Sequence, residues 1–552
     1  MVKVSLDSEI MDFAKELNPS TAFLIGFDEY AGKLFIASQE NIRAALRRIG
    51  ELRSKAESEL QKKVLDSIET ALLFDEPQPV LEDIVFSIFI HLIKEGTNDA
   101  HLLSLLDYAM KDVAACKKRY SGRSVPAAVK ALTLYRIDGI TEVLNTVKRQ
   151  STSPEVKEAC DALKNKVAGY VNLFELDGWG KGEFENVEKI FKREGFDLGR
   201  KAFYPKALHK ALDYEESPGE LENESLSWIK EELPKFRRIT EKLAKQFGCE
   251  PTAEEVEKKI IARTKLDPKR LVGVANEIRG AVQTLTDESV CHINPKYTTR
   301  IVETPSYLTG MLPSAAAMSF DGFTKKPYQL FFMTTDPKRD PEKSVAGLIN
   351  TIVHEEYGHC VHHSNSEVGF VGRVPLLSIA PMSPLGGPIS EGLAFNREVE
   401  FLEVSKALEQ KKVLTRAEKG YVRALEKYGG LKQINLELEF MTRRWRMIRF
   451  LRVLGDVWVN TGKRGLIEFV DWAHEHTGVP RSAAYFQLFP AHEGGFPGYA
   501  TSYAVEGEDI ARLERKIKDR KKKVKFSTYL CSIGSPPRSI YNKMLREYAA
   551  KL

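Results

Sequence analysis

Two histidines and a glutamate within six residues, His354-Glu355-Glu356-Tyr357-Gly358-His359, are the groups of this chain best suited to chemistry. Imidazole nitrogens bind zinc, and a carboxylate beside the first ligand can take a proton from an attacking water. In the usual H-E-x-x-H arrangement the ligands are four apart and stand one above the other on a helix face. Here they are five apart, which on an ideal helix turns the second imidazole about 100° further round. The pair can share one metal only where the helix absorbs an extra residue, as in a single-turn π-bulge. Gly358, just before the second histidine, is expected to ease that distortion.

A second pattern overlaps the first. Glu355, His359 and His363 recur at i, i+4 and i+8, so one regular helical face would offer those three groups instead. That choice uses Glu355 as a ligand and leaves no adjacent base. A purely structural histidine cluster is the third reading. The His354/His359 pair is preferred because it keeps Glu355 for proton transfer, and because only 11 histidines occur in 552 residues.

A zinc site built on two histidines needs a third protein ligand, which in one large class is a glutamate on a following helix. Glu391 opens such a segment, EGLAFNREVEFLE, and is the expected ligand; Glu398, two turns on, is the alternative. Taken alone, the same glutamates would suit an ordinary helix N-terminus. Further on, PAHEGGFPGYATSY (Pro490–Tyr503) is a glycine-rich loop running into a helix, and it concentrates His492, Tyr499 and Tyr503. A phenol or imidazole aimed at the metal would stabilise the oxyanion of a tetrahedral intermediate. The arginine-rich helix expected over Thr442–Trp458 carries Arg443, Arg444, Arg446, Arg449 and Arg452. It could hold a substrate carboxylate on Arg449 or Arg452, but most of these arginines are expected to be solvated, with one buried Arg–Asp pair involving Asp456.

The elements that must position these groups read as mostly α-helical. Stripes such as Ile42, Leu46 and Ile49, or Val64, Leu65, Ile68 and Leu72, mark amphipathic helices. Leu81–Gly96 is apolar on most sides, so its His91 is expected to be a core residue. Glycines between Leu176 and Glu222, and then Ser217-Pro218-Gly219, interrupt the periodicity, with helices resuming near Ser225. Gly248 is a plausible C-cap, followed by a capping box at Thr252–Glu255. The one β-leaning region, about 297–336, holds Arg300–Glu303, Ala316–Phe320 and Tyr328–Thr335. It leads into the motif helix, whose start is expected at Asp340 as N-cap and Pro341. A sheet edge there could pair with an extended peptide.

The chain is 43% hydrophobic and 29% charged, with a net charge of +5. A core is readily built, and nothing marks the whole chain as a nucleic-acid or membrane binder. The basic run Arg515–Lys525 reads as an exposed helix face. Six scattered cysteines without a C-x-x-C pair argue for reduced thiols and a cytoplasmic protein. The charged N-terminal segment is unlike a signal peptide. Oligomeric state has no signature in the sequence.

In their order along the chain, His354-Glu-Glu-Tyr-Gly-His359, Glu391-Gly-Leu-Ala with Glu398, and Gly498-Tyr-Ala-Thr-Ser-Tyr503 resemble the motifs of helical zinc metallopeptidases of the glutamate-ligand class. The last element is similar to segments of carboxypeptidase Taq-type enzymes and thimet-type oligopeptidases. The H-E-x-x-G-H spacing is similar to that of dipeptidyl-peptidase III. Over nearly the whole chain the closest likeness is to a helical family catalogued as a domain of unknown function and related to these peptidases. That likeness includes Asn18–Tyr30, Arg452 with Asp456, and Ser532–Pro537. This chain departs from the pattern in lacking a proline before Gly358-His359, and in placing Asn460 and His492 where a histidine and an arginine stand in the family.

The resemblance implies a two-lobed helical fold with a small sheet beside the active-site helix and a deep central cleft. Residues 1–285 would form an N-terminal lobe and 286–552 a catalytic lobe. It implies Zn²⁺ on His354, His359 and Glu391, Glu355 as general base, and Tyr499, Tyr503 or His492 as electrophile. Short peptides are the expected substrates, and carboxypeptidase action is one form the activity could take. A non-catalytic metal-binding scaffold of the same fold, or a metal hydrolase acting on a non-peptide amide, are the alternatives.

Overall fold

Helical periodicity in the sequence becomes helix in the computed structural model, which describes residues 5–264, 266–309, 312, 314–324, 326–336, 344–366, 375–378 and 382–552. The mostly α-helical class is as expected, with one three-stranded sheet among the described residues. The apolar run forms helix Pro79–Glu95, ended by Gly96 at φ 64°. His91 is a satisfied core residue: its Nε2 accepts the Gly32 N–H at 2.7 Å, and its Nδ1 lies 2.8 Å from the Ser87 carbonyl. Gly248 ends helix Pro218–Phe247 in the left-handed conformation. That helix starts earlier than expected, because Ser217 and Glu220 form a capping box around Pro218 and Gly219.

The sheet contains β1 (Thr299–Glu303), β2 (Ala315–Phe320) and β3 (Tyr328–Met333) in the order β1-β3-β2. The central strand β3 pairs parallel with β1 and antiparallel with β2, so that Phe331 faces Ile301 on one side and Ala317 on the other. Phe331, Phe332 and Met333 are fully buried, as a central strand covered on both faces requires. β2 is left at an edge. The Thr334 N–H donates to the Ser314 carbonyl at 2.8 Å. Hydrogen-bonded and non-hydrogen-bonded pairs alternate along an antiparallel ladder, so Ala315, Ala317 and Ser319 turn their backbone groups away from β3.

One apolar core gathers the helices up to Phe174 together with Phe320, Leu330 and Phe332 of the sheet. A second surrounds the motif helix and draws on both sides of residue 285: Ile278, Val282 and Leu285 pack with Ile349, Ile352 and Val353. A third joins Ala128–Ile229 to helices that follow the motif. All six cysteines are free thiols, five of them buried. Among the described residues no helix is long and apolar enough to cross a membrane.

Candidate metal centre

The motif helix begins at Val345, where Ser344 Oγ accepts the Gly347 N–H at 3.0 Å. The start expected at Asp340 and Pro341 lies outside the described residues. Val345, Leu348, Ile349, Ile352 and Val353 are buried as the pattern required. From Val353 to Cys360 the helix is a π-helix, and the Val361 N–H reaches back five residues to the Glu356 carbonyl. Regular α-helix resumes over Val361–Ser366. The wide turn takes up the additional residue between the histidines, and their rings meet edge to face with centroids 5.0 Å apart.

Gly358 has a different job from the one its position suggests. It has no left-handed φ. A Cβ at Gly358 would stand 2.5 Å from the Cβ of Ala394 and 2.6 Å from its Cα, on helix Gly386–Ala407. On the far side of that helix, a Cβ at Gly392 would meet Glu506 Cβ at 2.5 Å and the Gly507 nitrogen at 2.8 Å. Close backbone approach at both faces sets how near Glu391 comes to the histidines. Gly358→Ala is therefore expected to cost about 1–3 kcal/mol, as overpacking does, read as a lowered thermal midpoint. An unchanged midpoint with unchanged zinc content would show that the contact relaxes freely.

Glu391 Oε2 lies 3.6 Å from Nε2 of His354 and 3.6 Å from Nε2 of His359. It is buried and has no hydrogen-bond partner. One donor atom from each of the three residues falls within 4.8 Å of the others, the one such group among the described residues. Two imidazoles and a carboxylate with a common focus match the donor set of a catalytic zinc site. The opposite side of each of these three residues is held. Glu398 Oε1 lies 2.7 Å from His354 Nδ1, which also has Arg449 Nη2 at 3.2 Å, Ser390 Oγ lies 2.9 Å from His359 Nδ1, and the Tyr499 hydroxyl donates to Glu391 Oε1 at 2.6 Å. Such partners fix the tautomer and aim Nε2 inward. Glu398 is thus a positioning residue, turned away from the focus it was considered for. The regular-face alternative finds no support, because the π-turn breaks the i, i+4 relation and His363 instead stacks on His362 at 5.6 Å. Glu398→Gln is expected to weaken zinc binding by about 10–100-fold without emptying the site, measured by competition with a chelator. Complete loss of zinc would make Glu398 a ligand.

Burial and Arg449 both press against protonation of His354, yet the neighbouring carboxylates of Glu391 and Glu398 raise its pKa to about 9. Burial holds His359 down at about 4. Burial also works against the Glu391 carboxylate, but the two histidines and Tyr499 keep it well below the ordinary carboxylate range.

The two glutamates of the motif part company. Glu356 is fully buried and faces away, bound by Arg279 Nε at 2.7 and 2.8 Å and by the Tyr297 hydroxyl at 3.0 Å. Glu355 faces β2, where it accepts the Ala317 N–H, and burial raises its pKa to about 7. The sequence offered no sign that a strand amide would orient this carboxylate.

Tyr499–Tyr503 is a 3₁₀ turn preceded by Gly498 at φ 89°, with ring centroids of the two tyrosines 5.9 Å apart. The hydroxyl of Tyr499 is committed to Glu391. The ring of Tyr503 lies parallel to His354 at 6.4 Å, and its hydroxyl faces His492 Nε2 at 3.3 Å. His492 Nδ1 sits 2.9 Å from the Gln487 carbonyl, so its Nε2 is the acceptor in this pair, and burial keeps the imidazole neutral. His492 therefore stands behind Tyr503 and lacks a proton to offer an oxyanion in this tautomer.

The arginine helix runs over Gly430–Thr461 and is not the solvated face expected. Arg443 pairs with Glu232 at 2.7 Å, Arg444 with Glu257 at 3.0 Å, Arg446 with Glu508 at 2.5 Å and Arg449 with Glu398 at 2.7 Å. Among the described residues no arginine forms an ion pair with Asp456. That carboxylate accepts the Tyr204 hydroxyl at 2.6 Å, Asn460 Nδ2 at 3.0 Å and the Gly498 N–H at 3.3 Å, which anchors the tyrosine turn. The segment Ser532–Pro537 also reaches the motif helix, where the Gly534 carbonyl binds His362 Nε2 at 3.0 Å.

No protein-family model matches the chain, and no curated protein does. Two solved structures share its fold. One, described as a "putative lipoprotein" from Colwellia psychrerythraea, is 12% identical with a TM-score of 0.65 over 100% of both chains. The other, described as a "putative lipoprotein of unknown function" from Shewanella oneidensis, is 14% identical with a TM-score of 0.64 over 98% of this chain and 99% of that one. At such identity the likeness is one of fold, and it supports the mostly α-helical architecture along the full length of this chain.

Proposed function

We propose that this protein is a zinc-dependent metallopeptidase acting on short peptides, and that it works in the cytoplasm. The observation that carries the reading is the unpartnered, buried Glu391 Oε2, equidistant at 3.6 Å from the two inward-facing Nε2 atoms. His354, His359 and Glu391 would hold the ion. When bound there, zinc would polarise a carbonyl and bring the pKa of a water near 7. Glu355, adjacent to the first ligand and with its own pKa raised to about 7, takes the proton from the attacking water and returns it to the leaving amine. Tyr503 turns its hydroxyl proton from His492 Nε2 to the developing oxyanion, while Tyr499 holds Glu391 in place. The edge of β2 aligns an extended peptide beside Glu355 through the outward backbone groups of Ala315 and Ser319, the Ala317 N–H being held by Glu355. A metal-binding scaffold would have no use for a carboxylate so held.

Metal analysis of the purified protein, combined with a mass-spectrometric screen of short peptides, tests the reading. One zinc per chain and cleavage abolished by Glu391→Ala are expected. A zinc-loaded protein that cleaves no peptide, yet hydrolyses a small non-peptide amide, would move the activity to that class.

A further inference from the structure

Away from the metal centre, we infer that Cys291 and Cys531 are a peroxide-sensitive thiol pair, in which Cys531 is the nucleophile and Cys291 closes a reversible disulfide onto it. Neither residue has a part in the peptidase reading, and both are fully buried free thiols. Cys291 follows helix Leu271–Ser289, and Cys531 lies in the last turn of helix Arg520–Ser532. The two segments are fastened beside the thiols, where the His292 N–H donates to Thr528 Oγ1 at 2.9 Å. The Cys291 S–H donates to the Cys531 sulfur. The attacking and the resolving sulfur are thus already in contact.

Cys531 also has a cation. Arg397 Nη2, from the buried side of helix Gly386–Ala407, donates to its sulfur at 3.1 Å. Arg397 Nη1 bonds Glu400 at 2.5 Å and Ser527 Oγ. With a carboxylate of its own, the guanidinium does not need the sulfur to neutralise it. A buried free cysteine ordinarily behaves as a small hydrophobe that resists ionisation. Cys116, Cys160 and Cys360 follow that rule, and burial raises their thiols. Cys531 goes the other way: the Cys291 S–H and then Arg397 draw it below the ordinary thiol range, against burial.

The oxidant is a hydroperoxide. The Cys531 thiolate attacks one peroxide oxygen, the O–O bond breaks, and the departing hydroxide takes the Cys291 proton as water. Cys531 is then a sulfenic acid and Cys291 a thiolate. Cys291 attacks the Cys531 sulfur, the S–O bond breaks, and the second hydroxide leaves as water with the proton that Cys531 released on ionising. Two thiols are oxidised and one hydrogen peroxide is reduced to two waters. His292, next to Cys291, is exposed, so a local opening admits a molecule little larger than water. The bond spans the foot of the motif helix. Asn365 Nδ2 donates to the His292 carbonyl at 2.8 Å, and Ser366 Oγ to the Cys531 carbonyl at 2.9 Å. Oxidation therefore ties together the two segments on which the end of that helix rests.

Zinc-loaded wild type is treated with hydrogen peroxide, alkylated under denaturing conditions and mapped by mass spectrometry. A Cys291–Cys531 crosslink that a thiol reductant reverses is expected, forming about tenfold faster than Cys116 or Cys160 is lost. In Cys291→Ser, Cys531 should stop as a sulfenic acid that dimedone traps. In Cys531→Ser, Cys291 should stay a thiol. Arg397→Gln should slow the crosslink about tenfold, and the two serine variants decide the matter if it does not fold. Both cysteines left open to alkylation overturn the inference, as does loss of all buried thiols at one rate. A Cys531 that runs on to sulfinic acid without a crosslink overturns it too. So does a dimedone adduct on Cys291 in Cys531→Ser, or an unchanged rate in folded Arg397→Gln.

Discussion

Glu355→Gln is expected to retain zinc and lose turnover by about 10²–10⁴-fold, the range for removing a general base. The amide has the size of the carboxylate, and its oxygen can still accept the Ala317 N–H that holds Glu355 against β2. What it cannot do is take a proton. The ligands are untouched, since His354, His359 and Glu391 are each oriented by other groups: Glu398, Ser390 and Tyr499. No neighbour can deputise, because Glu356 is locked to Arg279 on the opposite side of the helix. Zinc content by elemental analysis and kcat on one peptide decide the matter. Activity within a factor of two of the wild type would remove Glu355 from the mechanism.

Phenylalanine at the two tyrosines is expected to separate two roles that spacing alone left joined. Tyr503→Phe should lower kcat by about 10²–10³-fold with KM nearly unchanged, the signature of a donor used in the transition state. Its ring contacts with His354 and Arg452 survive the change, so zinc and stability should hold. Tyr499→Phe removes the hydroxyl that grips Glu391 Oε1, and should appear instead as weaker zinc binding, about 10–100-fold, as for other groups behind a ligand. Rates measured at saturating zinc would then recover for Tyr499→Phe but not for Tyr503→Phe. If Tyr503→Phe keeps its kcat, the oxyanion donor is another group and Tyr503 serves only to pack.

Much of this site could be read from residue types and intervals. Two histidines five apart that are to share one metal make sense only with a widened turn, and the turn is there over Val353–Cys360. The third donor could be placed because a zinc site on two histidines lacks a ligand and a glutamate-bearing helix follows, although that helix starts at Gly386 and Glu391 lies on its second turn rather than at its opening. What an interval cannot convey is which side of a ring is served. Glu398 sits two turns from Glu391 and was a fair alternative, but it meets His354 at Nδ1, away from the focus. Gly358 looked like relief for a strained turn; its purpose is set by Ala394, on another helix. The arginines could not be ranked, because Arg449 and Arg452 differ only in that Glu398 reaches the first of them. Proximity in sequence points Asp456 to an arginine, whereas Tyr204 takes it from 252 residues away. Ser217-Pro218-Gly219 read as a break because its residues are turn formers, yet serine then proline is also how a helix begins.

The wide turn has a bearing on the residue count itself. Everything after it in the motif helix is offset by one position from where a regular helix would put it. That offset lets His362 find the Gly534 carbonyl at 3.0 Å and Ser366 the Cys531 carbonyl at 2.9 Å, two contacts that dock the C-terminal segment. Removing a single residue between the histidines would restore the common four-residue interval and a uniform helix. It would also rotate Val361–Ser366 by about 100° and undo that docking. The interval between the histidines and the docking of the C-terminal segment therefore stand or fall together.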